Sequence, residues 1–119
     1  MIDHVGYEVS DLVRAGRFYD AVFHALGLRR LHDSELLVGW GREEPTFWLT
    51  ARSAPAPGYG HVAFRAVGKA AVDAAHAAGV ASGGADDGAP GSRPRYGPRY
   101  YAGYLRDPDG LRVEVVASA

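Results

Sequence analysis

Apolar and polar residues follow two kinds of pattern along this chain. Over 11–26 the apolar residues recur every three or four positions, which predicts an amphipathic helix that Gly27 can end. The same spacing predicts a second helix over 68–79, with Gly79 as its stop. Shorter stretches alternate or are apolar throughout, as half-buried or buried strands do, and they fall at 4–9, 28–31, 36–40, 46–49, 61–66, 80–82, 100–105 and 111–116.

An internal repeat organises these elements. The segments 4–9 and 61–66 align without a gap, 57 residues apart, as His-Val-small-aromatic-charged-apolar. Each copy precedes a predicted helix and further strands, and Asp107-Pro108-Asp109-Gly110 is a strong hairpin turn between the last two. The sequence therefore predicts an α+β fold of two βαβββ modules.

Two segments lie outside this repeat. The stretch 51–59 is rich in Pro, Ala and Gly and is predicted to link module 1 (about 1–50) to module 2 (about 60–119) within a single domain. The stretch 82–99 is dense in Gly, Pro and Asp, and we expect a loop. That loop either folds over the site, presenting Arg93, Arg95 or Tyr96 to a ligand, or is a solvated surface excursion.

Composition narrows the possible functions. The 119 residues carry a formal net charge of -1, so the basic footprint of a nucleic-acid-binding protein is missing. There is no cysteine, which excludes disulfides, thiolate ligands and cysteine nucleophiles. No apolar run reaches the length of a membrane span, and the first residues lack a signal-peptide pattern, so we expect a cytoplasmic protein without membrane or nucleic-acid partners.

Strand alternation places three possible metal ligands on one face. If Val5, Tyr7 and Val9 point to the helices, His4 points away from them. The same argument puts His61 and Glu114 on the face away from the helices. Two imidazoles and one carboxylate suit a divalent ion with open positions. Taken singly, each is more often a surface or hydrogen-bonded residue, and His24, His32 and His76 are assigned no chemistry.

The sequence resembles the vicinal oxygen chelate superfamily, which groups glyoxalase I, bleomycin and fosfomycin resistance proteins, and extradiol dioxygenases. The resemblance covers almost the whole chain and is nearest to small glyoxalase-like proteins. Its most specific part is the Asp-Pro-Asp-Gly turn four residues before a strand glutamate. The matching segments are 2–12, Phe18-Tyr19, 60–64, 104–110 and Val113-Glu114, with a Gly-Ala-Pro-Gly-Ser-Arg-Pro loop at 88–94 before paired tyrosines.

This resemblance implies a curved mixed sheet around a cup that binds a divalent ion, which could be Fe, Mn, Ni, Zn or Mg. His4, His61 and Glu114 match the ligands of that ion. Glyoxalase I has a further carboxylate ligand late in the first module, but this chain has Thr-Phe-Trp-Leu at 46–49, so glyoxalase I activity itself is not implied. Open sheet edges and the resemblance both predict a homodimer, with cups completed across its interface.

Two functions follow as alternatives. The first is a metal-dependent enzyme on a small oxygen-rich substrate, of isomerase, lyase or dioxygenase type, in which the ion polarises substrate oxygens. Its predicted catalytic residues are Glu114, Tyr100 and Tyr104, and its predicted substrate-binding residues are Glu8, Arg65, Trp48, Arg95 and Tyr96; Arg65 could instead neutralise Glu8. The second is a non-catalytic protein that sequesters an antibiotic or another small molecule in an aromatic pocket of Trp40, Trp48, Tyr96, Tyr100 and Tyr104.

Overall fold

A computed structural model describes residues 2–53 and 60–118. The first module contains β1 (Val5–Val9), α1 (Leu12–Ala25), β2 (Arg29–Asp33), β3 (Leu37–Gly41) and β4 (Pro45–Ala51). The second module contains β5 (His61–Arg65), α2 (Lys69–Ala81), β6 (Ala85–Ser92), β7 (Tyr101–Arg106) and β8 (Arg112–Ala117). The predicted linker lies mostly outside the described residues, which stop at 53 and resume at 60.

The two modules have the same sheet topology. The strand orders are β1-β4-β3-β2 and β5-β8-β7-β6. In each sheet the first strand is an edge and pairs in parallel with the last, while the other pairs are antiparallel. The predicted α+β fold of two βαβββ modules is confirmed.

Local sequence signals explain the bounds of α1. The Asp11 side chain accepts a hydrogen bond from the Arg14 backbone N–H at 3.0 Å and so caps the start of the helix. Gly27 has φ +77°, a left-handed conformation that suits glycine just after a helix. The buried face of α1 carries Ala15, Gly16, Phe18, Tyr19, Val22 and Phe23.

Both modules contribute to one hydrophobic core. The helices pack against each other, and Phe23 and Phe47 of the first module lie edge-on to Phe64 of the second. The cluster continues through Leu105, Val113 and Val115. Because the helix sides of the two sheets are joined in this way, the other side of each sheet faces outward. We call these two surfaces the first and second open faces.

The prediction for residues 80–99 is wrong in two respects. Instead of a strand at 80–82, α2 continues to Ala81, and instead of a loop over 82–99, β6 occupies Ala85–Ser92 as the edge strand of its sheet. This strand pairs with β7 irregularly, with register shifts around Gly88. An edge position tolerates Gly and Pro because one side of the strand needs no ladder bonds, so pairing with β7 overrides the weak strand propensity.

Within the described residues, 2–53 and 60–118, no helix has the length and apolar character needed to cross a membrane.

Candidate functional site

The second open face is built by register from three strands. In β5 and β8, Ala63 is paired with Glu114, and in β7 and β8, Tyr104 is paired with Glu114. His61 is paired with Arg112, one step earlier along the same face. Val113 and Val115 alternate with these residues and are buried in the core, so Glu114 must point to the open face.

Glu114 is the centre of this face. It is only 2% exposed, although most of its face is open to solvent. Its Oε1 lies 3.0 Å from Nε2 of His61, and its Oε2 accepts a hydrogen bond of 2.5 Å from the Tyr100 hydroxyl. A buried carboxylate needs such partners because desolvation penalises its charge. Both carboxylate oxygens are therefore oriented by protein groups, while the His61 side chain stays 40% exposed.

The tyrosines beside Glu114 keep their protons. The hydrogen bond to Glu114 raises the pKa of Tyr100 strongly, with burial and the carboxylate charge adding to the effect. Burial raises the pKa of Tyr104, and the Glu114 charge raises it further. Tyr101 points the other way, where its hydroxyl donates to Asp73 of α2 at 2.6 Å. Neutral phenols at this site donate hydrogen bonds rather than accept protons.

Arginine side chains surround Tyr104. The Arg112 guanidinium carbon lies 4.4 Å from the centre of the Tyr104 ring, and that of Arg93 lies 5.5 Å from it. Asp87 of β6 holds Arg112 and Arg106, with N–O distances of 2.9 and 3.1 Å. Asp87, Arg106 and Arg112 were not predicted as site residues, because β6 was expected to be a loop. The available signal was the alternation in β8, which puts Arg112 on the same face as Glu114.

The first open face carries the other predicted residues. Trp48 is paired with Gly6 of β1 and with Gly39 of β3. A Cβ on Gly39 would lie 2.7 Å from the Trp48 ring, so the indole rests on β3 where only glycine leaves room. His32 lies in β2 with its ring 5.5 Å from that of Trp48.

His4 and Glu8 have local partners on this side. The exposed His4 places Nδ1 2.8 Å from the Asp3 carboxylate. Glu8 forms an ion pair with Arg52, so it is not Arg65 that neutralises it. Arg65 is exposed on β5.

The expected convergence of His4, His61 and Glu114 does not occur within one chain. His61 and Glu114 meet, but residues 2–53 and 60–118 contain no group of three His, Asp or Glu side chains placed to hold one ion. The physical reason is the shared core: it joins the modules through their helices, so β1 and β5 are edges of two separate sheets.

Register also locates the position that corresponds to Glu114 in the first module. Ala63 follows His61 by two residues and faces Glu114, and Gly6 follows His4 by two residues and faces Trp48. Trp48 therefore occupies the pseudosymmetric position of Glu114. This agrees with the absence of a carboxylate from the sequence at 46–49.

The five-aromatic pocket expected from the sequence is not formed. Trp40 is 1% exposed and lies in the core, where its indole N–H donates to Asp20 at 2.8 Å. Trp48 lies on the first open face, whereas Tyr96, Tyr100 and Tyr104 belong to the second module. Alternation in β3 puts Trp40 on the same side as Val38, toward the helix.

Residues 93–100 form the remaining loop beside the second open face. The Tyr96 ring lies 5.4 Å from that of Tyr100, and the Arg95 guanidinium lies 4.9 Å from the Tyr96 ring. A small cavity of about 290 Å³ opens here, lined by Tyr96, Gly97, Pro98, Arg99, Tyr100 and Ser118. The loop thus places aromatic surface next to the hydroxyl that holds Glu114.

The donor set of the second open face fits part of a divalent metal site. Two ligand atoms that each lie about 2.1 Å from an ion in octahedral geometry are about 3 Å apart. The His61 Nε2 and Glu114 Oε1 atoms are 3.0 Å apart, and the exposed imidazole leaves space for an ion on the solvent side. Imidazole and carboxylate together suit Fe, Mn, Ni or Zn, and this pair alone leaves several coordination positions open.

The comparisons with known proteins identify the family. The model of the Glyoxalase/Bleomycin resistance protein/Dioxygenase superfamily matches residues 1–115. The chain belongs to this superfamily. The resemblance found in the sequence is therefore confirmed. No curated protein matches the chain.

Solved structures agree with this assignment. A glyoxalase/bleomycin resistance protein from Albidiferax ferrireducens T118 is 32% identical, with a TM-score of 0.83 over 96% of this chain and 95% of that one. A lactoylglutathione lyase from Agrobacterium tumefaciens is 28% identical, with a TM-score of 0.66 over 95% and 90%. The fosfomycin resistance protein FosX from Mesorhizobium loti is 19% identical, with a TM-score of 0.73 over 100% and 92%, and shares the fold.

Proposed function

We propose that this glyoxalase-superfamily protein is a metal-dependent enzyme that acts on a small oxygen-rich substrate by Lewis-acid chelation. The observation that carries the proposal is the buried Glu114 carboxylate with the His61 imidazole 3.0 Å from it on an open face. A bound divalent ion would supply polarisation of substrate oxygens. The reaction belongs to the isomerase, lyase or dioxygenase type.

We propose that the third ligand is His4 of a second copy of the chain. His4 lies just before β1, an edge strand of the first sheet, and His61 begins β5, the corresponding edge strand of the second. Both open faces lie outside the shared core, so a homodimer can bring the first face of one copy onto the second face of the other. Each dimer then contains two equivalent cups.

Tyr100 is a positioning residue in this proposal. Its hydroxyl donates to Glu114 Oε2 and so leaves Oε1, the oxygen next to His61, directed toward the ion. Hydrogen bonds of this kind orient ligands and tune their basicity. Tyr104 lies one strand away from Glu114, with its pKa raised mainly by burial, and it is proposed to donate a hydrogen bond to substrate.

The substrate-binding roles of Glu8, Trp48 and Arg65 are proposed for the completed cup, because the dimer brings the face of Glu8 and Trp48 onto that of Arg65. Arg95 and Tyr96 are proposed to contact substrate from the loop beside Tyr100.

Complementation between two inactive variants tests the shared cup. His4→Ala and His61→Ala homodimers each lack one ligand in both cups, so neither should bind Mn²⁺ or Zn²⁺ stoichiometrically. When the two are unfolded together and refolded as a mixture, half of the dimers are mixed, and each mixed dimer regains one complete cup. We expect the metal content to return to about a quarter of the wild-type value.

The control for this experiment is His24→Ala, a histidine of α1 that lies outside the open faces. It should bind metal as the wild type does. Binding that is absent from the mixture while the wild type binds one ion per chain would contradict the shared cup. A wild-type protein with no affinity for a divalent metal would contradict the proposal of a metal-dependent enzyme.

Sequestration without metal chemistry is the second candidate. The half-buried Trp48, with the His32 ring beside it on the first open face, favours this function, because such an aromatic surface suits a planar ligand. Tryptophan fluorescence distinguishes the two candidates, with Trp48→Phe identifying the part of the signal that comes from Trp48. Ligand binding that quenches this part equally with and without a divalent ion supports sequestration, and quenching that requires the ion supports the enzyme.

A further inference from the structure

The guanidinium of Arg112 lies next to the proposed metal pair and retains free donors. Arg112 is paired across the sheet with His61, and its side chain is 36% exposed. Its Nε contacts Asp87 at 2.9 Å. Within residues 2–53 and 60–118 its two terminal nitrogens have no hydrogen-bond partner, although their guanidinium lies 4.4 Å from the Tyr104 ring. The ring supports the guanidinium while its outer donors face solvent.

Arg106 has fewer free hydrogen-bond donors than Arg112. It contacts the same Asp87 oxygen through its Nε, at 3.1 Å. Its Nη1, however, donates to the Gly110 carbonyl at 3.2 Å, so part of its donor set is used by the turn before β8. Arg106 also lies on β7, one strand farther from His61 than Arg112 does.

The surrounding charges favour an anion. The guanidinium groups of Arg93 and Arg112 lie over the Tyr104 ring, and Arg106 joins Arg112 at Asp87, so three guanidinium groups stand against the two carboxylates of Asp87 and Glu114. Glu114 is directed to His61 and Tyr100, and a bound divalent ion would add further positive charge. An excess of positive charge on a surface attracts anionic ligands.

We propose that the substrate carries an anionic group, a carboxylate or a phosphate, beside its chelating oxygens, and that Arg112 is the residue that binds this group. This inference rests on the proposed function, since it places the anion next to the His61 and Glu114 pair. The paired donors of a guanidinium match the oxygen geometry of both anions. Arg112 is thus the specificity-determining residue of the site.

Three hydroxyketones that share one chelating group test the proposal. Dihydroxyacetone is neutral, hydroxypyruvate replaces one of its hydroxymethyl groups by a carboxylate, and dihydroxyacetone phosphate adds a phosphate. Their dissociation constants are measured by calorimetry on the Mn²⁺-loaded protein. We expect at least one anionic compound to bind about 10- to 100-fold more tightly than dihydroxyacetone, and the compound that does so identifies the anion.

Substitutions then assign the preference to a residue. Arg112→Gln should remove it and bring all three dissociation constants within about threefold of one another, and Arg112→Lys should retain part of it. Arg106→Gln is the matched control: it removes the other arginine on Asp87 and should preserve the preference. Loss of the preference in Arg65→Gln but not in Arg112→Gln would overturn the proposal, as would equal effects of Arg106→Gln and Arg112→Gln.

Two further measurements separate this inference from the proposed enzyme. Mn²⁺ affinity of Arg112→Gln should not fall below that of the wild type, because Arg112 is a neighbouring cation and not a ligand. In the metal-free protein, inorganic phosphate should shift the NMR signals of residues around Tyr104 in the wild type and not in Arg112→Gln. If no metal binds but this phosphate response is present, the anion site stands and the enzyme proposal fails. If metal binds but no anion preference is found, the enzyme proposal stands and the anion site fails.

Discussion

The second open face holds a buried carboxylate between a histidine and a tyrosine, whereas the first open face holds a tryptophan at the corresponding place. Glu114 and Trp48 occupy equivalent registers opposite Ala63 and Gly6. The strand order, the helix and the parallel edge pair are the same in both modules. This repeat therefore preserves the backbone architecture while the open-face side chains diverge, so equivalent positions do not carry equivalent chemistry.

The largest expected effect is a difference in Mn²⁺ affinity between variants at Glu114 and variants at Trp48. Glu114→Gln preserves size but removes the anionic ligand, and Trp48→Phe preserves an aromatic ring at the other position. We expect Glu114→Gln to weaken Mn²⁺ binding by at least about 100-fold, since loss of a ligand exceeds the loss of its hydrogen-bond partners. Trp48→Phe should change it by less than about twofold. Similar losses in both variants, measured by calorimetry, would mean that the two faces contribute alike.

The next largest effect is expected on stability, at the hydrogen bond between Tyr19 of the first module and Asp107 of the second. Asp107 accepts hydrogen bonds from the Tyr19 hydroxyl at 2.8 Å and from two backbone N–H groups of its own turn. Asp107→Ala leaves these donors without an acceptor and should lower the free energy of unfolding by about 2 kcal/mol. Asp109 contacts Ser10 at the exposed rim, so Asp109→Ala should cost less than about 1 kcal/mol. Urea unfolding measures both free energies. An equal loss in the two variants would mean that the buried hydrogen bonds of Asp107 contribute no more than the exposed contact of Asp109.

A carboxylate placed at the pseudosymmetric position should make the two faces more alike. Trp48→Glu puts a carboxylate on the face of His4, where the completed cup would gain a fourth ligand. We expect Mn²⁺ to bind about tenfold more tightly, since carboxylate ligands suit this ion. Trp48→Gln introduces a side chain of the same shape as glutamate but without its charge, and it should show no gain in affinity. Equal affinities in the two variants would place position 48 outside the cup.

The smallest effect concerns pH. Burial raises the pKa of Asp107 above its usual value of 3.8, so the folded state favours the protonated acid. This contribution to stability is complete below that value and is lost as pH rises through the raised pKa. Asn at this position can keep both backbone N–H bonds and donate to the Tyr19 oxygen. Relative to the wild type, Asp107→Asn should therefore gain stability between pH 4 and pH 7.

Unfolding curves of both proteins at the two pH values test this sign. Other carboxylates titrate in the same range, but they are common to both proteins and cancel in the difference. A constant difference between the proteins would mean that Asp107 has the same pKa in the folded and unfolded states.

Local patterns determined much of the fold. The helix spacing over 11–26 and the alternation in 4–9 and 61–66 are periodic over enough residues to fix the element type and the face that is buried. Alternation also put Glu114 on the side away from the helices, and the 57-residue repeat predicted the second module from the first. These features depend on neighbours in sequence, so they could be obtained without long-range contacts.

Only the tertiary structure decided the rest. Strand β6 has weak strand propensity and exists because β7 offers it a pairing edge, which in turn brings Asp87 to Arg106 and Arg112. Likewise, alternation places His4 and His61 on open faces, but the shared helix core determines that these are two faces rather than one. The physical reason is the same in both cases: strand pairing and module packing are set by contacts between residues far apart in sequence, which local periodicity does not encode.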